Sequence, residues 1–117
     1  MAKGRVLVVE DDRDIREELT ELLEENDYCV LVAEHGQHAL DVMRAGNRPD
    51  AIILDLMMPV MDGWEFRERQ KKDPDFAPIP VIVTTASERS VDADALLRKP
   101  IDRDALLRAL AEHARRA

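Results

Sequence analysis

Ala51-Ile52-Ile53-Leu54-Asp55-Leu56-Met57-Met58-Pro59-Val60-Met61-Asp62-Gly63 is the stretch on which the reading of this chain turns. An unbroken apolar run, Ala51 to Leu54, fits a strand covered on both faces, as in a parallel sheet flanked by helices. The run ends on a carboxylate, Asp55, and opens into a loop punctuated by Pro59 and Gly63. In an open α/β sheet the ligand-binding crevice lies at the C-terminal ends of the strands. Asp55 is therefore expected at the reactive edge of such a sheet.

The same signature recurs elsewhere. Val6-Leu7-Val8-Val9 ends on Glu10 and Asp11, and another apolar run ends on Lys99, followed by Pro100. Apolar strands alternate with helical patterns, which indicates parallel βαβ units. Strands are predicted at about 5–9, 28–33, 51–54, 79–84 and 94–98. Helices are predicted at about 13–25, 36–45, from just after Gly63 to just before Asp73-Pro74, and at about 102–115. The first carries Ile15, Leu19, Leu22 and Leu23 on one stripe, with Asp12 or Asp14 as its cap. Gly46 is a stop signal for the second, Trp64 and Phe66 open the third, and Asp102 is the expected cap of the last. There is no repeat, linker or internal boundary, so residues 1–117 read as one domain with helices on both faces of a five-stranded sheet.

One connection is short. Between Thr85 and Lys99 the chain must fit a loop, a crossover and a strand, whereas a parallel crossover usually takes a dozen or more residues and includes a helix. Residues 86–93 can span the distance when extended. At most one helical turn fits there, and Ser87-Glu88-Arg89-Ser90 is the expected place for it.

The composition narrows the function classes. The chain has 117 residues, 45% of them apolar and only 3% aromatic, so its core rests on aliphatic side chains. A net charge of −8 excludes nonspecific nucleic-acid binding, which needs a basic surface. No apolar run approaches a bilayer span, and the N-terminus leads directly into a strand without a signal peptide. The single cysteine, Cys29, permits no disulfide framework, fits a cytoplasmic setting, and is expected as a buried structural thiol. His35, His38 and His113 share no metal-ligand spacing and read as surface or packing residues.

Glu10, Asp11 and Asp55 would crowd three negative charges at one edge, a cost that a hard divalent cation such as Mg²⁺ offsets. The backbone carbonyl of Met57 can add another oxygen. Lys99 suits a phosphoryl oxygen, and Thr85, at the end of the fourth strand, offers a hydroxyl to the same group. A carboxylate so placed can attack phosphorus and form an aspartyl phosphate, with the cation, Lys99 and Thr85 stabilising the transferred group. Taken singly, each residue has a plainer role: Asp55 as a turn residue, Glu10-Asp11 as helix-start acids, Lys99-Pro100 as a loop. Their coincidence at the ends of different strands is the specific signal.

With Val8-Val9-Glu10-Asp11-Asp12, Leu54-Asp55-Leu56-Met57-Met58-Pro59, Met61-Asp62-Gly63, Thr85-Ala86 and Lys99-Pro100 in place, the chain resembles a response-regulator receiver domain of two-component signalling over nearly its whole length. The offsets, 44 residues from Asp11 to Asp55 and 30 from Asp55 to Thr85, are similar to the family's. The resemblance implies a flavodoxin-like, doubly wound five-stranded parallel sheet. It implies that Asp55 is the phosphoacceptor, that Asp11 binds Mg²⁺ directly and Glu10 through water, that Met57 gives its carbonyl to the metal, and that Thr85 and Lys99 hold the phosphoryl group. Asp12 matches no family ligand. The donor would be a sensor histidine kinase or a histidine phosphotransfer protein, with small acyl phosphates as substitutes, and the domain would catalyse only its own phosphorylation and dephosphorylation.

The chain also departs from the family. About four full helices are expected, with the fourth of the usual five shortened or absent, and Leu96 stands where receivers place an aromatic three residues before the lysine. The family's usual output face, formed by the fourth helix, fifth strand and fifth helix, is altered, which leaves the face of the fourth strand, fifth strand and last helix to meet a partner. Val81, Val83 and Leu96 are expected to be left partly uncovered, to be closed over by the short loop, by an output protein or by a second copy. A phosphorylation-independent pseudo-receiver is the alternative function. A metal-dependent phosphatase with an aspartyl-phosphate intermediate needs a general acid where Met57 stands. A flavin-binding domain needs a phosphate loop after the first strand that this chain lacks.

Overall fold

Successive side chains of a strand point to opposite faces, and in this chain both faces are apolar. The computed structural model describes residues 3–89 and 91–114, and its strands β1 (Gly4–Val9), β2 (Tyr28–Ala33), β3 (Ala51–Asp55), β4 (Val81–Thr85) and β5 (Ala95–Arg98) form one parallel sheet in the order β2-β1-β3-β4-β5. Leu7, Val9, Ile52, Leu54, Val81 and Val83 face one helical layer; Val6, Val8, Ala51, Ile53 and Ile82 face the other. All of these side chains are buried, which is why β1, β3 and β4 read as continuous apolar runs.

Helices α1 (Arg13–Glu25) and α4 (Arg103–His113) cover the second face with Leu19, Leu22, Leu23, Leu106 and Leu110. Helices α2 (Gly36–Arg44) and α3 (Gly63–Lys72) cover the first with Ala39, Leu40, Met43 and Phe66. Each helix begins on a side-chain acceptor that satisfies otherwise orphaned amides. Asp12 caps α1, accepting from Asp14 and Ile15, while Asp62 and Asp102 cap α3 and α4. His35 caps α2 through Nδ1, which accepts from the His38 amide at 3.1 Å.

Three sequence expectations are corrected. β4 begins at Val81 rather than Ile79: the chain from Asp73 to Ile79 is wound in turns, with the Ile79 amide bonded to the Phe76 carbonyl. Cys29 is exposed, because it lies on the edge strand β2 on a face that the helices do not cover there. The expected helical turn at 87–90 is not seen among the described residues, and Ser90 lies outside them. Residue 115, at the expected end of the last helix, also lies outside the described residues.

The described residues of the β4–β5 connection, 86–89 and 91–94, instead run as a strap against α3. The buried Arg67 donates from Nε to the Asp92 carbonyl at 2.8 Å, and Lys71 pairs with the Asp92 carboxylate at 2.6 Å. Val91 and Ala93 tuck against the α2–α3 core beside Leu96. Of the apolar residues expected to be uncovered, Val81 and Val83 are fully buried, whereas Leu96 stays partly exposed. Asp94 closes the strap onto β4 in a reciprocal pair, its amide donating to the Val81 carbonyl and its carboxylate accepting from the Val81 amide.

Candidate functional site

β1, β3 and β5 all end at the same edge of the sheet, and each delivers a charged side chain to it. Beyond β1 come Glu10, buried, and Asp11, exposed; β3 ends on the buried Asp55; beyond β5 comes Lys99, joined to Pro100 through a cis peptide bond. Glu10, Asp11 and Asp55 each present a carboxylate oxygen, and these oxygens lie within 4.8 Å of one another. The Lys99 ammonium stands 3.0 Å from Glu10 Oε1 and 3.5 Å from Asp55 Oδ1. The sequence expectation that these four residues meet is thus met by the fold.

The surrounding backbone holds the cluster in place. Arg16 donates to the Glu10 carbonyl at 2.9 Å and pairs with Glu34, tying the start of α1 to the end of β1. The Asp12 amide donates to Glu10 Oε2 at 3.2 Å, and the Met57 amide to Asp55 Oδ1 at 3.4 Å. Gly63 is required by close approach: a Cβ there would sit 2.7 Å from the Asp55 carbonyl oxygen. Val60, in the same loop, adopts φ 67°, a left-handed conformation that strains a β-branched residue. Met57 itself is exposed at the mouth of the site.

Thr85 is fully buried at the end of β4, and its Oγ1 accepts from the Ser87 amide at 2.9 Å, which leaves its own proton free to donate. Thr84, not Thr85, is the ladder partner of Asp55. The Thr84 hydroxyl is buried without a hydrogen-bond partner among the described residues.

The charges are poorly compensated. Burial pushes the Glu10 carboxyl up to about 7 despite its hydrogen bond to Lys99, and the Asp55 charge adds to the rise. Burial raises Asp55 as well, against the opposing effect of Lys99. Burial alone would lower Lys99, yet the hydrogen bond to Glu10 and the charge of Asp55 outweigh it and hold the ammonium protonated. One lysine does not neutralise three acids, and all the free donors are hard carboxylate oxygens. Both features fit a small divalent cation.

Beside this cluster a cleft of about 450 Å³ opens between Asp11, Met57, Met58, Pro59, Asp62, Trp64 and Arg89. Trp64 is only partly buried, and the Arg89 guanidinium lies over its ring, 4.1 Å from the centroid. Arg89 was not among the residues singled out from the sequence. An isolated arginine in a charged loop carries no signal of its own, and only the position of the strap relates it to the site.

Residues 6–111 match the family model described as Response regulator receiver domain. Response regulator MprA of Mycobacterium sp. (strain KMS) is 43% identical over 109 residues, which cover 88% of this chain and 47% of that protein. The chain spans about half the length of the curated relatives it matches. Among solved structures, the Francisella response regulator 1452 receiver domain is similar with a TM-score of 0.86 at 28% identity, covering 96% of this chain and 97% of that one. The signal receiver domain of a signal transduction histidine kinase from Syntrophus aciditrophicus is similar with a TM-score of 0.85 at 32% identity, covering 97% and 95%.

Proposed function

The chain belongs to the response regulator receiver domain family of two-component signalling, and on that premise we propose that Asp55 accepts a phosphoryl group and switches a protein–protein interaction. The observation that carries this reading is the position of Lys99, within 3.5 Å of both Asp55 and Glu10 at the mouth of an acidic cluster. In the transfer an Asp55 carboxylate oxygen forms a bond to phosphorus. The bond from phosphorus to the donor's nitrogen or acyl oxygen breaks, and its electron pair leaves with the donor. The Asp55 charge must be free for attack, and the protonated Lys99 favours that form. Lys99 then holds one oxygen of the transferred group, and the Thr85 hydroxyl donates to another.

The donor set fits Mg²⁺, which Glu10, Asp11 and Asp55 would hold together with the Met57 carbonyl. Bound there, the ion supplies positive charge for the phosphoryl oxygens. Glu10 and Asp11 position it, and the Asp12 amide fixes Glu10 for that task.

The natural donor in this reading is a phosphohistidine on a sensor kinase or phosphotransfer protein. Beyond its own phosphorylation and dephosphorylation the domain has no catalytic role. No helix among the described residues is long and apolar enough to cross a membrane, and a cytoplasmic setting accords with that and with the family. The face made by β4, β5 and α4 would meet an output protein or a second copy. Leu96 and the strap favour an alternative, a module that signals without phosphorylation.

Intact mass after incubation with Mg²⁺ and a small acyl phosphate, with Asp55→Asn in parallel, is the test. A gain of one phosphoryl group in the parent alone supports the phosphoacceptor. No gain, either from the acyl phosphate or from a phosphorylated kinase, overturns it in favour of the alternative.

A further inference from the structure

Thr85, Ser87 and Arg89 are joined in a stepwise chain. Thr85 Oγ1 accepts from the Ser87 amide at 2.9 Å, and Ser87 Oγ accepts from the Arg89 amide at 3.1 Å. Arg98, at the end of β5, donates to the Ser87 carbonyl and pins the same turn from the other side. The hydroxyl at the end of β4 is therefore two hydrogen bonds from the backbone that carries Arg89. Where a crossover helix would lead away from the sheet edge, the strap keeps this residue beside it.

Arg89 lines the cleft that also contains Asp11, one of the three clustered acids, and Met57, the second residue after Asp55. Asp62, which caps α3, lines it too. A cation among these acids would be drawn toward a carboxylate, yet the Arg89 guanidinium lies over the Trp64 ring instead. Cation–π contact at 4.1 Å is close and weakly held at an exposed position, so little is lost when the side chain leaves it.

We propose that Arg89 is a second cation for the phosphoryl group, held on Trp64 until a phosphoryl donor enters the cleft between Asp11, Met57 and Trp64. The proposal rests on the phosphoacceptor reading and adds a residue to it. Lys99 is a point charge, mostly buried and already engaged with Glu10 and Asp55. An acyl phosphate approaching this edge is a dianion moving toward three carboxylates. A guanidinium on the cleft wall offsets that repulsion and presents a planar fork that matches two phosphoryl oxygens. During transfer Asp55 bonds to phosphorus and the donor departs as a carboxylate with the electron pair of the broken bond. Arg89 exchanges no proton in this step; it orients the group and shields its charge. Its departure from the ring of Trp64, the chain's single tryptophan, changes that residue's surroundings.

The test compares the full chain with Arg89→Ala and Asp55→Asn, using Mg²⁺ and acetyl phosphate. Intact mass follows phosphoryl gain, and Trp64 emission is recorded in parallel. Arg89→Ala is exposed and should fold like the parent. Labelling by subsaturating acetyl phosphate is expected to slow about three- to fivefold in this variant, the scale of an exposed charge contact. The emission change that accompanies labelling in the parent should be lost. Equal labelling rates and equal emission changes in parent and Arg89→Ala overturn the Arg89 assignment while leaving the phosphoacceptor intact. Absence of any mass gain in the parent overturns both, and the mass record distinguishes the two failures.

Discussion

The buried guanidinium of Arg67 donates to the backbone carbonyl of Asp92 at 2.8 Å, and this bond joins α3 to the strap between β4 and β5. The same guanidinium donates to Gln70 Oε1 at 2.8 Å, and Gln70 donates in turn to the carbonyls of Phe76 and Ile79, each at 3.0 Å. Two polar side chains of α3 thus hold both the loop before β4 and the strap after it. Replacing Arg67 by Met keeps bulk but leaves the Asp92 carbonyl and Gln70 Oε1 without their donor. We expect a loss of about 2–3 kcal/mol in denaturant unfolding. An unchanged midpoint would show that the bond carries no stability.

Acid stability in the absence of metal follows from Glu10. Its carboxyl is raised from 4.5 to about 7, so the folded state binds a proton that the unfolded chain has already released. Stability should therefore fall as pH rises from about 4.5 to about 7, by at most about 3 kcal/mol, and level off above. Asp55 is shifted the same way, whereas the lowered Asp92 acts only in more acidic solution and the raised Lys99 only in alkaline. Denaturation midpoints at pH 5.5 and 7.5 in chelator measure the effect, and Glu10→Gln should flatten it. A midpoint independent of pH in the parent would contradict the assignment. Added Mg²⁺ should restore stability at the higher pH.

Thr84 places a hydroxyl inside the sheet with no hydrogen-bond partner among the described residues. Thr84→Val exchanges it for a methyl of similar size and should raise stability by about 1 kcal/mol, read from the same unfolding curves. A loss of stability would reveal a partner for the hydroxyl. Thr85→Val has a different expected effect, since that hydroxyl accepts from Ser87 and, in the function proposed above, donates to the phosphoryl group: labelling of Asp55 should slow.

Val60 pays for its φ of 67° without any packing return, being 78% exposed. Val60→Gly should gain roughly 0.5–1 kcal/mol, because glycine adopts that conformation without strain while losing more chain entropy on folding. A destabilised variant would mean that the loop uses the strain to hold Met57 and Met58.

Much of this was legible in the sequence. The apolar runs ending on Glu10, Asp55 and Lys99 located both the sheet and the edge where these charged side chains meet, since a buried parallel strand leaves few other patterns. Asp102 read correctly as a cap, and Asp12 is the one of the two candidates, Asp12 and Asp14, that caps α1. α3 was harder to read because its inward face includes Arg67 and Gln70, and polar residues in a helical pattern resemble a solvated face. His35 was missed as a cap because its acceptor role depends on which ring nitrogen carries the proton. The strap was legible only as a shortage of residues, and its course depends on bonds between positions distant in the chain.

That strap has a further consequence on a slower clock. Its hydrogen bonds run from arginine side chains to carbonyls and from amides to the hydroxyls of Thr85 and Ser87, outside any helical ladder. Such a segment can detach without unzipping the sheet, so its amide hydrogens should exchange with deuterium by local opening, well ahead of those in β3 and β4. The boundary between fast and slow exchange would fall at Thr85, making the edge that carries the acidic cluster also the mechanical seam of the domain.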